Sequence, residues 1–217
     1  ISLLLYAEGA ESPMLEPGMH SELCDERCRK MQEIFHESPY VALIYASSGS
    51  NRVFGSASVV QIDDKPFFLT NNHVIEGALK IWVALYNHAK WKGFYEIYLV
   101  GRDPFLDLAL LSVPTEMRSD IQTASFGSSA VVGQEVFTLG YPFGVRSVTV
   151  GYINNAYRAH SWLFQLTQAP VHVGNSGAPL FDGYHHMVGV TTATVQGSGV
   201  MGLVIPIEYV QKILPRL

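Results

Sequence analysis

The sequence predicts an all-β protein built as two six-stranded antiparallel β-barrels, with an N-terminal helical extension and a C-terminal helix. Three observations carry that reading. Short apolar runs bounded by turn residues fall into two groups of six. The composition, with 19 Gly and 11 Pro beside 11 Tyr and 11 Phe, suits short strands and tight turns better than a helical bundle. A polar stretch with little periodicity, residues 114–130, separates the two groups and reads as a linker. With 217 residues, 48% of them hydrophobic and 15% charged, the chain can bury a sizeable core.

Residues 1–38 read as an extension. Its first seven residues, ISLLLYA, fit the end of a signal peptide or of an upstream membrane anchor as well as they fit a short ordered arm. Within 21–35, Cys24, Cys28, Met31 and Phe35 recur at helical spacing, and Pro39 ends the helix. Cysteines four apart on an intact helix are close but badly oriented for a disulfide, so two buried thiols are expected. Residues 39–113 hold the first group of strands, at 40–46, 53–62, 65–70, 79–86, 94–100 and 108–113, with turns at Asp63-Asp64 and Asn87-His88. Residues 131–217 hold the second, at 135–139, 146–153, 162–166, 178–181, 187–194 and 200–205, followed by a helix at 207–214.

The formal charge of −5, with no run of Lys or Arg, offers no phosphate-neutralising surface, which argues against nucleic acid as a partner. Polypeptide substrates fit better. No stretch approaches the roughly 20 apolar residues that cross a bilayer as a helix.

A serine hydroxyl becomes a useful nucleophile when a histidine can take its proton and a carboxylate holds that histidine in the right tautomer. Ser176 lies in GNSGAPL, where Gly174 permits an unusual turn and lets the Gly174 and Ser176 N–H groups converge on a developing oxyanion. His73 follows the apolar run FFLTNN, and Asp107 precedes the apolar run LALL. Asp103 competes with Asp107, but it precedes Pro104 in what reads as an exposed turn. The chain order His, Asp, Ser separates this set from α/β-hydrolases and subtilisins and matches double-barrel serine proteases.

The stretches GSASVV (55–60), FFLTNNHVIEGA (67–78), DPFLDLALLSV (103–113), VVGQEVFTLGYPFG (131–144), GNSGAPLF (174–181) and GLVIPIEYVQKIL (202–214) resemble the protease domain of the HtrA/Deg family of trypsin-fold proteases. The resemblance implies a triad of His73, Asp107 and Ser176 and an oxyanion hole in the backbone of Gly174, Asn175 and Ser176. It also implies ATP-independent cleavage of unfolded segments in the cell envelope or an organelle lumen, and trimers formed through N-terminal segments, with which Tyr6 is compatible. Two departures stand out. No PDZ domain is read after the protease segment, and His172-Val173 stand where the family commonly has Asn-Pro, so activation is expected to be conditional.

In such a fold the primary pocket lies between Pro170, Val171, His172 and Val173 on one side and Thr191, Thr192, Ala193 and Thr194 on the other. Pro170 occupies the position six before the serine where a pocket for Lys or Arg would carry an acid, so small or medium apolar residues are the expected specificity. Neutral Asn175 cannot make the ion pair of a zymogen switch. His185-His186 alternate across a strand and make a poor chelate with or without His172, so no metal and no cofactor is expected. The rival readings are a trypsin-fold binding or scaffold protein that keeps the triad but holds its loop collapsed, and an esterase on the same residues.

Overall fold

The computed structural model describes residues 24–87, 90–91, 93–118, 121–159, 162–194 and 201–217. The apolar segment 1–7, Tyr6 and the His88 half of the Asn87-His88 turn lie outside the described residues.

The extension helix α1 spans Glu26–Glu37, later than the apolar spacing suggests, because Asp25 caps it: the Asp25 carboxylate accepts the Cys28 N–H at 2.8 Å. That start corrects the expectation of two free thiols. Cys24 and Cys28 form a disulfide, with Cα atoms 5.3 Å apart. Cys24 sits before the cap and off the helix, so the extended backbone at Asp25 can fold its sulfur back over the first turn. The intact-helix geometry that would prevent the bond does not apply.

The first sheet contains β1 (Val41–Ser48), β2 (Asn51–Ile62), β3 (Lys65–Thr70), β4 (Lys80–Asn87), β5 (Lys90–Trp91), β6 (Tyr95–Ile97), β7 (Leu99–Asp103) and β8 (Leu108–Leu111), in the order β5-β4-β1-β2-β3-β8-β7. Asp63 and Asp64, both at positive φ, make the two-residue hairpin between β2 and β3. The single strand expected at 94–100 is two: β6 pairs with β4, and β7 pairs with β8. Tyr98 alone separates them, and its backbone turns to Ser112, accepting the Ser112 N–H at 2.8 Å and donating to the Ser112 hydroxyl at 3.0 Å. One nearly continuous segment therefore touches both flanks of the sheet and curls it.

The second sheet is a closed six-stranded barrel of β9 (Glu135–Gly140), β10 (Ser147–Ala159), β11 (Trp162–Thr167), β12 (Pro179–Phe181), β13 (Met187–Thr194) and β14 (Gly202–Pro206), ordered β10-β11-β14-β13-β12-β9. After the single-turn helix α2 (Asn72–Ile75), helix α3 spans Ile207–Ile213 and buries Ile207, Val210 and Ile213. Ala130, Val136, Ile153, Leu180, Val188 and Val204 form a small cluster in this barrel. The main core is shared: Ile44, Val59, Phe68 and Leu111 of the first sheet belong to one buried cluster with Phe137, Tyr141, Phe181 and Val190 of the second. At about 25 cal/mol per Å² of buried apolar surface, such a seam fixes the two sheets against each other, so residues from both can meet at one site.

Candidate active site

His73 is carried by α2 (Asn72–Ile75), the single turn that follows β3. Val74 and Ile75 are buried on the core side, which leaves the imidazole facing out, with 44% of its side chain exposed. Asp107 closes the turn before β8, in a left-handed conformation (φ 60) that Asp tolerates better than most residues. Its carbonyl accepts the Asn72 N–H at 3.2 Å and the Asn71 side-chain amide at 2.8 Å, which ties the two turns together. Its carboxylate then accepts the His73 N–H at 2.9 Å through Oδ1 and meets His73 Nδ1 at 2.7 Å through Oδ2. Asp103 is used elsewhere: its Oδ1 accepts the Phe105 and Leu106 N–H groups, both at 2.9 Å, and so builds the turn between β7 and β8.

Ser176 comes from the loop between β11 and β12 of the second barrel. Gly174 (φ 101) and Gly177 (φ 85) flank it, and a Cβ at either would run into backbone, the Tyr141 carbonyl at Gly174 and the Ser56 carbonyl at Gly177. Only glycine fits both places. The first sheet grips the loop's backbone at two carbonyls through Ser56. The Ser56 N–H donates to the Ser176 carbonyl at 2.8 Å, the Ser56 hydroxyl donates to the Gly174 carbonyl at 2.7 Å, and the same hydroxyl accepts the Tyr141 N–H at 2.9 Å. Ser56 is wholly buried, so losing its hydroxyl would strand a donor and an acceptor at about 1–3 kcal/mol each.

Of the three amides expected to form the oxyanion hole, that of Asn175 donates its N–H to the His172 carbonyl at 2.9 Å. The Gly174 and Ser176 N–H groups have no partner among the described residues. Opposite the loop, Phe143 takes a left-handed conformation (φ 53), which costs a residue of its size on the order of 1 kcal/mol. Its N–H donates to the Val173 carbonyl at 2.9 Å, and its ring, 68% exposed, stacks on His172 with centroids 6.0 Å apart.

A β-bulge sets the remaining piece. In the β13–β14 ladder Thr191 faces Val204 and Ala193 faces Leu203, so Thr192 is the extra residue with no partner strand. Its hydroxyl donates to Asp107 Oδ2 at 2.5 Å, and its carbonyl accepts the Ser176 hydroxyl at 3.1 Å. Ser176 therefore points at Thr192, and no hydrogen bond joins it to the His73 ring among the described residues. Thr191 turns inward as well, its hydroxyl donating to the Asn175 and Ala178 carbonyls at 2.7 and 3.0 Å. Of the residues expected to line a pocket, Ala193, Thr194, His172 and Val173 are exposed, Pro170 is half-buried, and Val171 is buried against Gly202. Ser56 and the tethering role of Thr192 are what the sequence reading missed. Ser56 lay inside the GSASVV stretch, but nothing in a sequence reports a bulge.

His185 and His186 pair with carboxylates elsewhere. His186 Nδ1 lies 3.3 Å from Asp182, and His185 Nε2 lies 3.7 Å from Glu33 on α1. No group of three or more metal-ligating side chains converges among the described residues.

The profile of the trypsin-like peptidase domain matches residues 55–190, a span that includes His73, Asp107 and Ser176. The chain belongs to the trypsin-like peptidase domain family. Among curated relatives of this peptidase domain, a probable periplasmic serine endoprotease DegP-like of Chlamydia pneumoniae is 35% identical over 70% of this chain and 32% of its own length. Serine protease Do-like HtrB of Bacillus subtilis is 35% identical over 71% of this chain and 36% of its own. Protease Do-like 5, chloroplastic, of Arabidopsis thaliana is 32% identical over 80% and 60%. The chain thus spans about a third of the first two relatives. Among solved structures, the serine endoprotease from Yersinia pestis superposes with a TM-score of 0.75 at 28% identity, covering 86% of this chain and 65% of that one. The HtrA-type protease AlgW with tripeptide gives 0.74 at 29%, covering 86% and 62%. The peptidase domain is therefore similar to HtrA proteases in sequence and in fold.

Proposed function

We propose that this chain is a serine endopeptidase that cleaves extended or unfolded polypeptide segments through His73, Asp107 and Ser176. The observation that carries the reading is the His73–Asp107 pair, at 2.7 Å on the first sheet, brought beside a glycine-flanked serine on the second. In this mechanism Ser176 Oγ attacks the scissile carbonyl as its proton passes to His73 Nε2. The new oxyanion is met by the Gly174 and Ser176 N–H groups. Collapse of the tetrahedral intermediate breaks the C–N bond, His73 returns the proton to the leaving amine, and water, activated by the same histidine, releases the acyl group. Asp107, held by Thr192 and by the His73 backbone, keeps Nδ1–H pointed away from the reaction so that Nε2 is the basic nitrogen. The exposed side chains of Ala193 and Val173 and the uncharged Pro170 favour small or medium apolar residues before the cleaved bond. The periplasmic and chloroplastic relatives, together with the Cys24–Cys28 disulfide, favour an extracytoplasmic or organelle-lumen location.

One observation favours the silent-scaffold alternative, namely the Ser176 hydroxyl bonded to Thr192 and not to His73. Catalytic hydrogen bonds often tighten only once substrate is bound, and rotation about one side-chain bond frees this hydroxyl. Labelling by a fluorophosphonate decides: in wild type the Ser176 Oγ is expected to displace fluoride from the probe's phosphorus, leaving a stable serine adduct, and the protein to cleave casein, while Ser176→Ala does neither, with kcat down by about 10⁶. Absence of labelling between pH 6 and 9 overturns the endopeptidase reading.

A further inference from the structure

The oxyanion hole needs the Gly174 N–H aimed outward, and the carbonyls on both sides of that residue are tied down. Phe143 N–H holds the Val173 carbonyl, and the Ser56 hydroxyl holds the Gly174 carbonyl. Because a peptide unit is planar with C=O and N–H pointing opposite ways, fixing the Val173 carbonyl toward Phe143 turns the Gly174 N–H away from Phe143. The aim of the hole therefore depends on where the turn 141–146 sits. That turn holds a left-handed phenylalanine, so its position depends on what anchors its two ends.

Arg146 ends the turn, and its guanidinium gathers four acceptors from three parts of the chain. Nη1 donates to the Tyr141 hydroxyl at 3.0 Å and the Val41 carbonyl at 3.3 Å, and Nη2 donates to the Phe35 and Ser38 carbonyls at 2.9 and 3.0 Å. Rings of Phe35, Tyr86 and Tyr141 surround it with centroids 5.3, 5.4 and 5.9 Å away. No carboxylate touches it among the described residues. Its charge is met instead by ring faces and by the carbonyls at the C-terminal end of α1, where the helix dipole is negative. Tyr141, the far end of the turn, is wholly buried and clamps the same place, its hydroxyl donating to the Val41 carbonyl at 3.2 Å. A planar fork of donors can satisfy this set at once, whereas an ammonium cannot.

We propose that Arg146 is a positioning residue through which the N-terminal helix α1 holds the oxyanion hole in its competent geometry. The inference rests on the endopeptidase reading for its catalytic consequence, but the structural coupling stands apart from it. The helix supplies the counter-charge, the arginine pins the turn, and the turn fixes the peptide plane ahead of Gly174. Seating α1 is then part of assembling the site. Any partner that lifts α1 would lower acylation without touching the groove.

The test uses the whole chain and the variants Arg146→Lys and Arg146→Met, each checked for a wild-type circular dichroism spectrum. Both are expected to lower kcat by the order of 10², the loss that follows removal of an oxyanion donor, while KM moves less than about threefold. A boronic acid that mimics the tetrahedral adduct should weaken in parallel, and a product-like peptide should not. Amide exchange at Phe143 and Val145 is expected to speed up in the variants while β9 stays protected. Folded variants with wild-type kcat, or with unchanged exchange in the turn, overturn the proposal. A wild type that never labels with fluorophosphonate sinks the endopeptidase reading alone, because the exchange measurement still decides the coupling. If Arg146→Met does not fold, Phe35→Ala weakens the same seat from the helix side and must give the same exchange pattern.

Discussion

The two halves of the site are stabilised in opposite ways. The His73–Asp107 half lies within one sheet, on turns next to β3 and β8, which are paired neighbours, and its bonds are mostly between those two turns. The Ser176 half draws on both sheets. Its loop is held within its own barrel by its internal turn bonds, by Thr191, by the turn 141–146 and by the bulged Thr192, and across the seam by Ser56. The His73–Asp107 pairing is thus mostly a local property, whereas the shape of the Ser176 loop depends also on the seam between the sheets. The first should survive loosening of the seam between the sheets, and the second should not.

Asp107→Asn breaks the local half and carries the largest expected effect. A loss in kcat of about 10⁴ with the fold intact would match the wrong histidine tautomer, and a loss below tenfold would mean that the pair does not orient the base. Ser56→Ala acts on the interface half. Activity should drop by up to about 10², toward the loss of an oxyanion donor, and unfolding should become easier by roughly 2–6 kcal/mol for the two groups left unpaired. If stability falls while kcat holds, the Ser56 hydroxyl merely supports the core. The smallest effect is a pH dependence. Burial pushes the Tyr141 phenol above its ordinary 10.0, against the opposing pull of Arg146. The unfolded phenol then ionises first, so its contribution to stability is complete below about pH 10 and declines as pH rises past it. A Tyr141→Phe chain should lose less stability between pH 9 and 11 than wild type, measured by denaturant unfolding.

The strand pattern was legible because each barrel strand carries its own apolar run between turn signals. Asp63-Asp64, for example, announces its hairpin by composition. His73, Asp107 and Ser176 could be singled out because each sits in a distinctive local stretch and their order is informative, and the fold brings His73 and Asp107 to 2.7 Å. What stayed hidden depends on conformation that no single position encodes. The disulfide required knowing that α1 starts only after its cap Asp25, which leaves Cys24 outside it. The bond of the Asn175 amide to the His172 carbonyl follows from the turn shape. Thr192 became a tether for both Asp107 and Ser176 because of a one-residue bulge. Arg146 looked like the opening residue of a strand, and only folding brings the end of α1 over it.

The single-residue break at Tyr98 also governs what the first sheet leaves open at its margins. Since the segment around it serves both flanks of that sheet, the ends of the strand order among the described residues are only the two-residue β5 and the five-residue β7, and the second sheet is a closed ring. Strand addition by another chain needs a long bare edge. Among the described residues, an extended chain meets little backbone here on which to nucleate a fibre.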